Sequence, residues 1–143
     1  MKIRLLVLMS LALSVLALVA CGGRGTETAA PAIEEIDLST LAPSIDVETA
    51  HSLYNDPDVF MLDVREPDEY EAGHIPGITL IPMGEIADRL SEIPTDQEVI
   101  VTCRTGNRSS QVVDFLRAQG FTNVHNMEGG IVAWEESGYP VEQ

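Results

Sequence analysis

Three hydrophobic patterns follow one another along the chain. Leu5 to Ala20 is an uncharged run made almost wholly of Leu, Val, Ala and Ser. From Gly22 to about Thr40, Gly, Thr, Ala, Pro and Glu occur with little periodicity, as expected of a tether. From Ile45 onward, short apolar runs alternate with amphipathic ones. Val59 to Val64 and Glu98 to Thr102 are near-continuous apolar runs, the mark of strands buried on both faces. Thr79 to Pro82 and Thr122 to Met127 read as shorter strands. Helices are expected over Glu48–Tyr54 and over Pro67–Ala72, the latter with Pro at its start and Gly73 beyond its end. A helix over Gly84–Leu90 would turn Ile86, Ala87 and Leu90 inward. Two more are expected over Ser110–Gln119, closed by Gly120, and over Ile131–Glu136, stopped by Gly138 and Pro140. This alternation predicts an α/β domain whose mainly parallel central sheet carries helices on both faces. No internal repeat is present.

The amino-terminal pattern sets the organisation. Its apolar run is shorter than the roughly 20 residues of a membrane span and follows a basic Met1-Lys2-Ile3-Arg4, so residues 1–20 read as an export signal. Leu18-Val19-Ala20-Cys21-Gly22 resembles a bacterial lipobox, which implies acylation of Cys21. The expected plan is a lipoprotein signal peptide at 1–20, a flexible tether with lipidated Cys21 at 21–43, and one folded domain at 44–143. The expected location is exported and lipid-anchored to the cell envelope, on its periplasmic or extracellular face.

Charge narrows the partners. The 143 residues carry a formal net charge of −15. Removing the leader takes Lys2 and Arg4 and leaves six arginines against 23 acids, a formal charge of −17. Such a body argues against nucleic acid as a partner, and against membrane contact other than through the lipid. With Cys21 acylated, the second cysteine, Cys103, has no partner in the chain. An odd thiol in an exported protein is reactive or pairs with another molecule.

Cys103 stands where chemistry is easiest to build. It follows the strand 98–102 and opens Cys103-Arg104-Thr105-Gly106-Asn107-Arg108-Ser109, a loop leading to a helix N-terminus. In open parallel sheets ligands bind outside the carboxyl ends of strands. Converging backbone N–H groups, the helix dipole and the charges of Arg104 and Arg108 all favour the thiolate, which is the nucleophile.

The same seven residues resemble the active loop of single-domain rhodaneses. So do Leu62-Asp63-Val64-Arg65-Glu66-Pro67 with Glu69-Tyr70, Gly73-His74-Ile75-Pro76-Gly77, and Glu128-Gly129-Gly130-Ile131 with Trp134, in that order. Ile78 departs from the small Ala usual there, which concerns local packing. The resemblance implies a sulfurtransferase. Cys103 would take the sulfane sulfur of a small anionic donor such as thiosulfate and yield it, from a persulfide, to cyanide or a thiol, including a protein thiol. Residues Arg104, Thr105, Gly106, Asn107 and Arg108 would cradle the transferred sulfur and the donor, with Ser109, Asp63 and Arg65 in support. Asp63 is expected to accept N–H bonds from the loop, pair with an arginine, or cap its strand. For Arg65 a surface ion pair, with Glu69 for example, is expected ahead of a place at the pocket mouth. His74 is expected to make a structural hydrogen bond and Trp134 to fill the core. His51 and His125 lie far from any second ligand, so neither a metal site nor a cofactor is expected. The alternatives are a non-enzymatic persulfide carrier or docking module and, on the arginine-ended loop, a phosphatase or arsenate reductase.

Overall fold

The apolar runs at 59–63 and 98–102 pair with each other at the heart of a five-stranded parallel sheet in the computed structural model, which describes residues 36–143. In chain order the elements are β1 (Ser44–Ile45), α1 (Val47–Leu53), β2 (Val59–Asp63), α2 (Pro67–Ala72), β3 (Thr79–Leu80), β4 (Glu98–Thr102), α3 (Asn107–Ala118), β5 (Val124–Met127) and α4 (Gly130–Glu136). The strands lie in the order β1-β5-β4-β2-β3, and every pair is parallel. The α/β architecture expected from the alternation is the one observed.

Side-chain alternation along the strands divides the core in two. Val99, Val101 and Cys103 enter one apolar cluster with Leu62 and Val64 of the neighbouring chain segment and Val112, Val113 and Leu116 of α3. Ile100 and Met61 point the other way, into a cluster with Ala50 and Leu53 of α1 and Trp134 of α4. Cys103 therefore continues the alternation of β4 toward the face covered by α3.

Two expectations shift. The helix foreseen at 84–90 is two 3₁₀ segments, Met83–Asp88 and Leu90–Glu92. With three residues per turn, Met83 and Ile86 share the inner side and Ala87 is carried out to solvent. The folded body also begins before residue 44. Ile36, Leu38 and Leu41 pack partly buried against the second cluster, and the carbonyls of Ala42 and Pro43 accept bonds from His125 Nδ1 and the Asn126 N–H. The signal sequence, Cys21 and the tether up to residue 35 lie outside the described residues.

A buried ion pair joins β2 to α2. Asp63 is fully buried and Arg65 is 4% exposed. The Arg65 guanidinium donates to Asp63 Oδ2 from Nη2 at 2.7 Å and from Nε at 2.9 Å. Its remaining N–H groups reach the carbonyls of Glu69 (3.0 Å) and Gly73 (2.8 Å), at the middle and the end of α2. The surface ion pair expected of Arg65 is thus an internal strut, and its link to Glu69 is to backbone. Removing one member of such a pair leaves a buried charge without its counter-ion. Asp63→Ala is expected to cost about 3 kcal/mol of unfolding free energy, measured by urea denaturation; a loss below about 1 kcal/mol would show that the strut is dispensable.

Candidate active site

β4 and β2 are neighbours, but their chains leave in opposite directions, β4 toward β5 and β2 toward β3. A crevice at the carboxyl ends of the strands follows from that divergence. Cys103 follows β4 at that end of the sheet, 1% exposed.

The loop above the sulfur is shaped by its carbonyls. Cys103 O accepts from the Ile131 N–H at 2.9 Å, and Arg104 O from the Val132 N–H at 3.1 Å, so the first turn of α4 holds both. In a trans peptide the C=O and the following N–H point in opposite directions. Turning Arg104 O outward to α4 therefore turns the Thr105 N–H to the inner side of the loop, where it favours the thiolate. Gly130 makes this approach possible. A Cβ there would collide with the carbonyl oxygens of Cys103 and Arg104, and its φ of +59° is in the left-handed region. Gly106, at φ +90°, turns the chain into α3 and donates its N–H to Cys103 Sγ at 3.2 Å. The helix expected from Ser110 begins at Asn107, so Arg108 and Ser109 sit in its first turn.

The surroundings of the sulfur favour the thiolate. Burial pushes the Cys103 thiol up. The Ser109 hydroxyl, 3.4 Å from Sγ, and the N–H groups of Ser109, Thr105 and Gly106 outweigh it and hold the thiol below its ordinary value.

The two arginines of the loop have different fates. Arg108 forms a bidentate pair with Glu69 of α2, both N···O distances being 2.7 Å. Its charge is therefore balanced by a carboxylate, a partner that the expected role of both arginines in cradling the donor did not include. Arg104 is exposed and makes no ion pair among the described residues, where Arg65 pairs with Asp63 and Arg89 with Glu85 and Glu92. Thr105 and Asn107 are exposed on the same loop. Asp63 and Arg65 make no hydrogen bond to the loop's side chains; they position α2, which carries Glu69 to Arg108.

Other singled-out residues have structural contacts. His74 Nδ1 lies 3.0 Å from Tyr70 O, its ring stacks on Tyr70, and its backbone pairs with Glu142. Trp134 is fully buried, with Nε1–H donating to Pro140 O. His51 stacks on Tyr139, and His125 is bound between Glu98 and Ala42 O. Among the described residues no group of three or more His, Cys, Asp or Glu could hold a metal ion. Sequence reasoning missed Glu69 as the partner of Arg108, because the two lie 39 residues apart. It also missed Asn126, a carboxamide in the short strand Val124–Met127, which the fold buries at all four positions.

A family model described as a rhodanese-like domain matches residues 46–137. A sulfurtransferase of Allochromatium vinosum is 38% identical over 109 residues, 76% of this chain and 94% of that protein. The thiosulfate sulfurtransferase GlpE of Pseudoalteromonas translucida is 37% identical over 91 residues, 64% of this chain and 87% of that protein. Among solved structures, a rhodanese-related protein of Thermoplasma volcanium is similar with a TM-score of 0.66 at 36% identity, over 71% of this chain and 98% of that one.

The Arg108 fork draws the Glu69 carboxyl well below the usual carboxylate range, to about 2, against the opposing effect of its partial burial. A carboxylate depressed on folding adds stability above its unfolded value of 4.5, and that stability is lost as pH falls through the folded value. Glu69→Gln is expected to flatten the acid limb of the stability curve between pH 4.5 and about 2. Denaturant titrations at stepped pH test this; parallel limbs for variant and wild type would exclude the pair as a contributor.

Proposed function

The chain belongs to the rhodanese-like family, and on that premise we propose that it is a sulfurtransferase working through a persulfide on Cys103. The observation that carries the reading is the convergence of the Gly106 N–H and the Ser109 hydroxyl on one buried sulfur. The Cys103 thiolate attacks the outer sulfur of a sulfane donor such as thiosulfate. The new S–S bond takes the place of the donor's own, and sulfite departs with that electron pair. The persulfide's terminal sulfur carries the negative charge into the ring of amides between residues 104 and 108. A thiophilic acceptor, cyanide or a thiol, then attacks that sulfur and returns Cys103 as thiolate. Two displacements replace one difficult transfer.

Four residues separate Cys103 from Arg108, a ring suited by its resemblance to rhodaneses to a single sulfur rather than a phosphate. Donor recruitment falls to Arg104, since Arg108 is engaged by Glu69. On an acidic body one exposed cation at the mouth of the site focuses small anions there. The leader adds a place for this chemistry: tethered by lipid on Cys21 to the cell envelope, at its periplasmic or extracellular face, with protein or small thiols of that compartment as acceptors.

Incubating the domain without residues 1–21 with thiosulfate is expected to add the mass of one sulfur, removed by cyanide with release of thiocyanate, and Cys103→Ser is expected to add nothing. No adduct with any sulfane donor would overturn the reading; an adduct that cyanide and thiols cannot discharge would replace turnover with carriage. Separately, Arg104→Ala is expected to raise KM for thiosulfate about fivefold, equivalent to about 1 kcal/mol for an exposed charge pair, with kcat nearly unchanged. A fall in kcat at constant KM would instead place Arg104 in the chemical step.

A further inference from the structure

Ser109 owns one hydroxyl proton, and three acceptors stand around it. Asn126 Oδ1 is at 2.6 Å, Gly106 O at 3.1 Å and Cys103 Sγ at 3.4 Å. Ser109 is fully buried and Asn126 is 7% exposed, so water does not supply what these groups lack. With the proton on Asn126, Ser109 offers the sulfur only lone pairs. That suits a thiol, whose S–H donates, and opposes a thiolate, which only accepts.

Turning the Asn126 amide over reverses the arrangement. Nδ2–H then donates to Ser109 Oγ, and the hydroxyl proton is free for the sulfur, an anion and so a stronger acceptor than the Gly106 carbonyl. At its other end the amide meets the Ser44 hydroxyl, 3.4 Å from Nδ2. Both neighbours are hydroxyls, which donate or accept alike, so either orientation leaves the amide satisfied. An aspartate or an aliphatic residue could not do this.

We propose that Asn126 is a positioning residue for the nucleophile, acting through Ser109: its amide turns with the charge on Cys103, accepting the Ser109 proton while the sulfur is a thiol and donating to Ser109 when it is a thiolate. No proton leaves the serine or the amide; only directions change, and the thiol's proton goes to solvent. The inference rests on Cys103 being the nucleophile of the proposed transfer. Other charged groups around the loop are Arg104, Arg108 with Glu69 of α2, the Asp63–Arg65 pair at the end of β2, and Glu128 in the turn after β5, all left unchanged by substitutions at 109 and 126.

The test is the pH dependence of Cys103 alkylation by iodoacetamide, which requires no sulfur donor, so its failure is separate from failure of persulfide formation. Asn126→Asp supplies a carboxylate that only accepts and holds the Ser109 proton. It is expected to raise the midpoint by about one pH unit, a tenfold loss of thiolate at a fixed lower pH. The new charge contributes as well, and Ser109→Ala isolates it: in that background the aspartate is expected to shift the midpoint by less than half as much. Equal shifts in the two backgrounds, or none in either, would overturn the proposal. Where the aspartate variant does not fold, the wild-type protein answers. Its Asn126 side-chain amide resonances are expected to titrate with Cys103, with the change greatly reduced in Ser109→Ala; resonances that stay fixed through the titration would sink the amide turn.

Discussion

The site depends on two backbone hydrogen bonds that involve no side chain. The first amides of α4 take the carbonyls of Cys103 and Arg104, and planar peptides then oblige the following N–H groups to face the other way. An anionic sulfur buried to 1% exposure would be costly on its own. Here its solvation is replaced by amides whose direction is imposed from outside the loop. Gly130 is the point at which the sequence permits this, because a side chain there would occupy the space of the two carbonyls.

Around that core the charges fall into two kinds. Asp63–Arg65 and Glu69–Arg108 are fixed pairs whose role is mechanical. The first anchors α2 at its middle and end, and the second ties α2 to the first turn of α3. Together they close one side of the crevice with a line of hydrogen bonds that begins on β2 and ends beside the sulfur. Arg104 is of the second kind, exposed and uncommitted among the described residues. An acidic surface with one exposed cation on the loop draws small anions to it, and it leaves the positive end of α3 to act on the sulfur itself.

Much of this was legible in the chain. The alternation of apolar runs and amphipathic segments implied the parallel sheet, since only a sheet covered on both faces needs strands as uniformly apolar as 59–62 and 99–101. The position of Cys103 between a strand and a helix implied its place at the sheet's carboxyl edge. Less legible were features without a local period. The segment 83–92 became 3₁₀ rather than α, so Ala87 faced solvent; and residues 36–43 joined the fold although their composition resembles a tether.

Local pattern was enough to set the layered architecture, the order of the elements and the place of Cys103 between β4 and α3, because these depend on hydrophobic period and on turn residues acting over a few positions. Which charges are free and which polar groups meet was settled by packing alone. Glu69 reaches Arg108 across 39 residues and Asn126 reaches Ser109 across 17. Such pairings arise where strands adjacent in the sheet bring distant segments to one edge, and they are energetic choices of the folded state: a buried carboxylate or carboxamide takes the partner packing places beside it. Composition revealed that cations were few. The folded chain decided which of them remained available to a substrate.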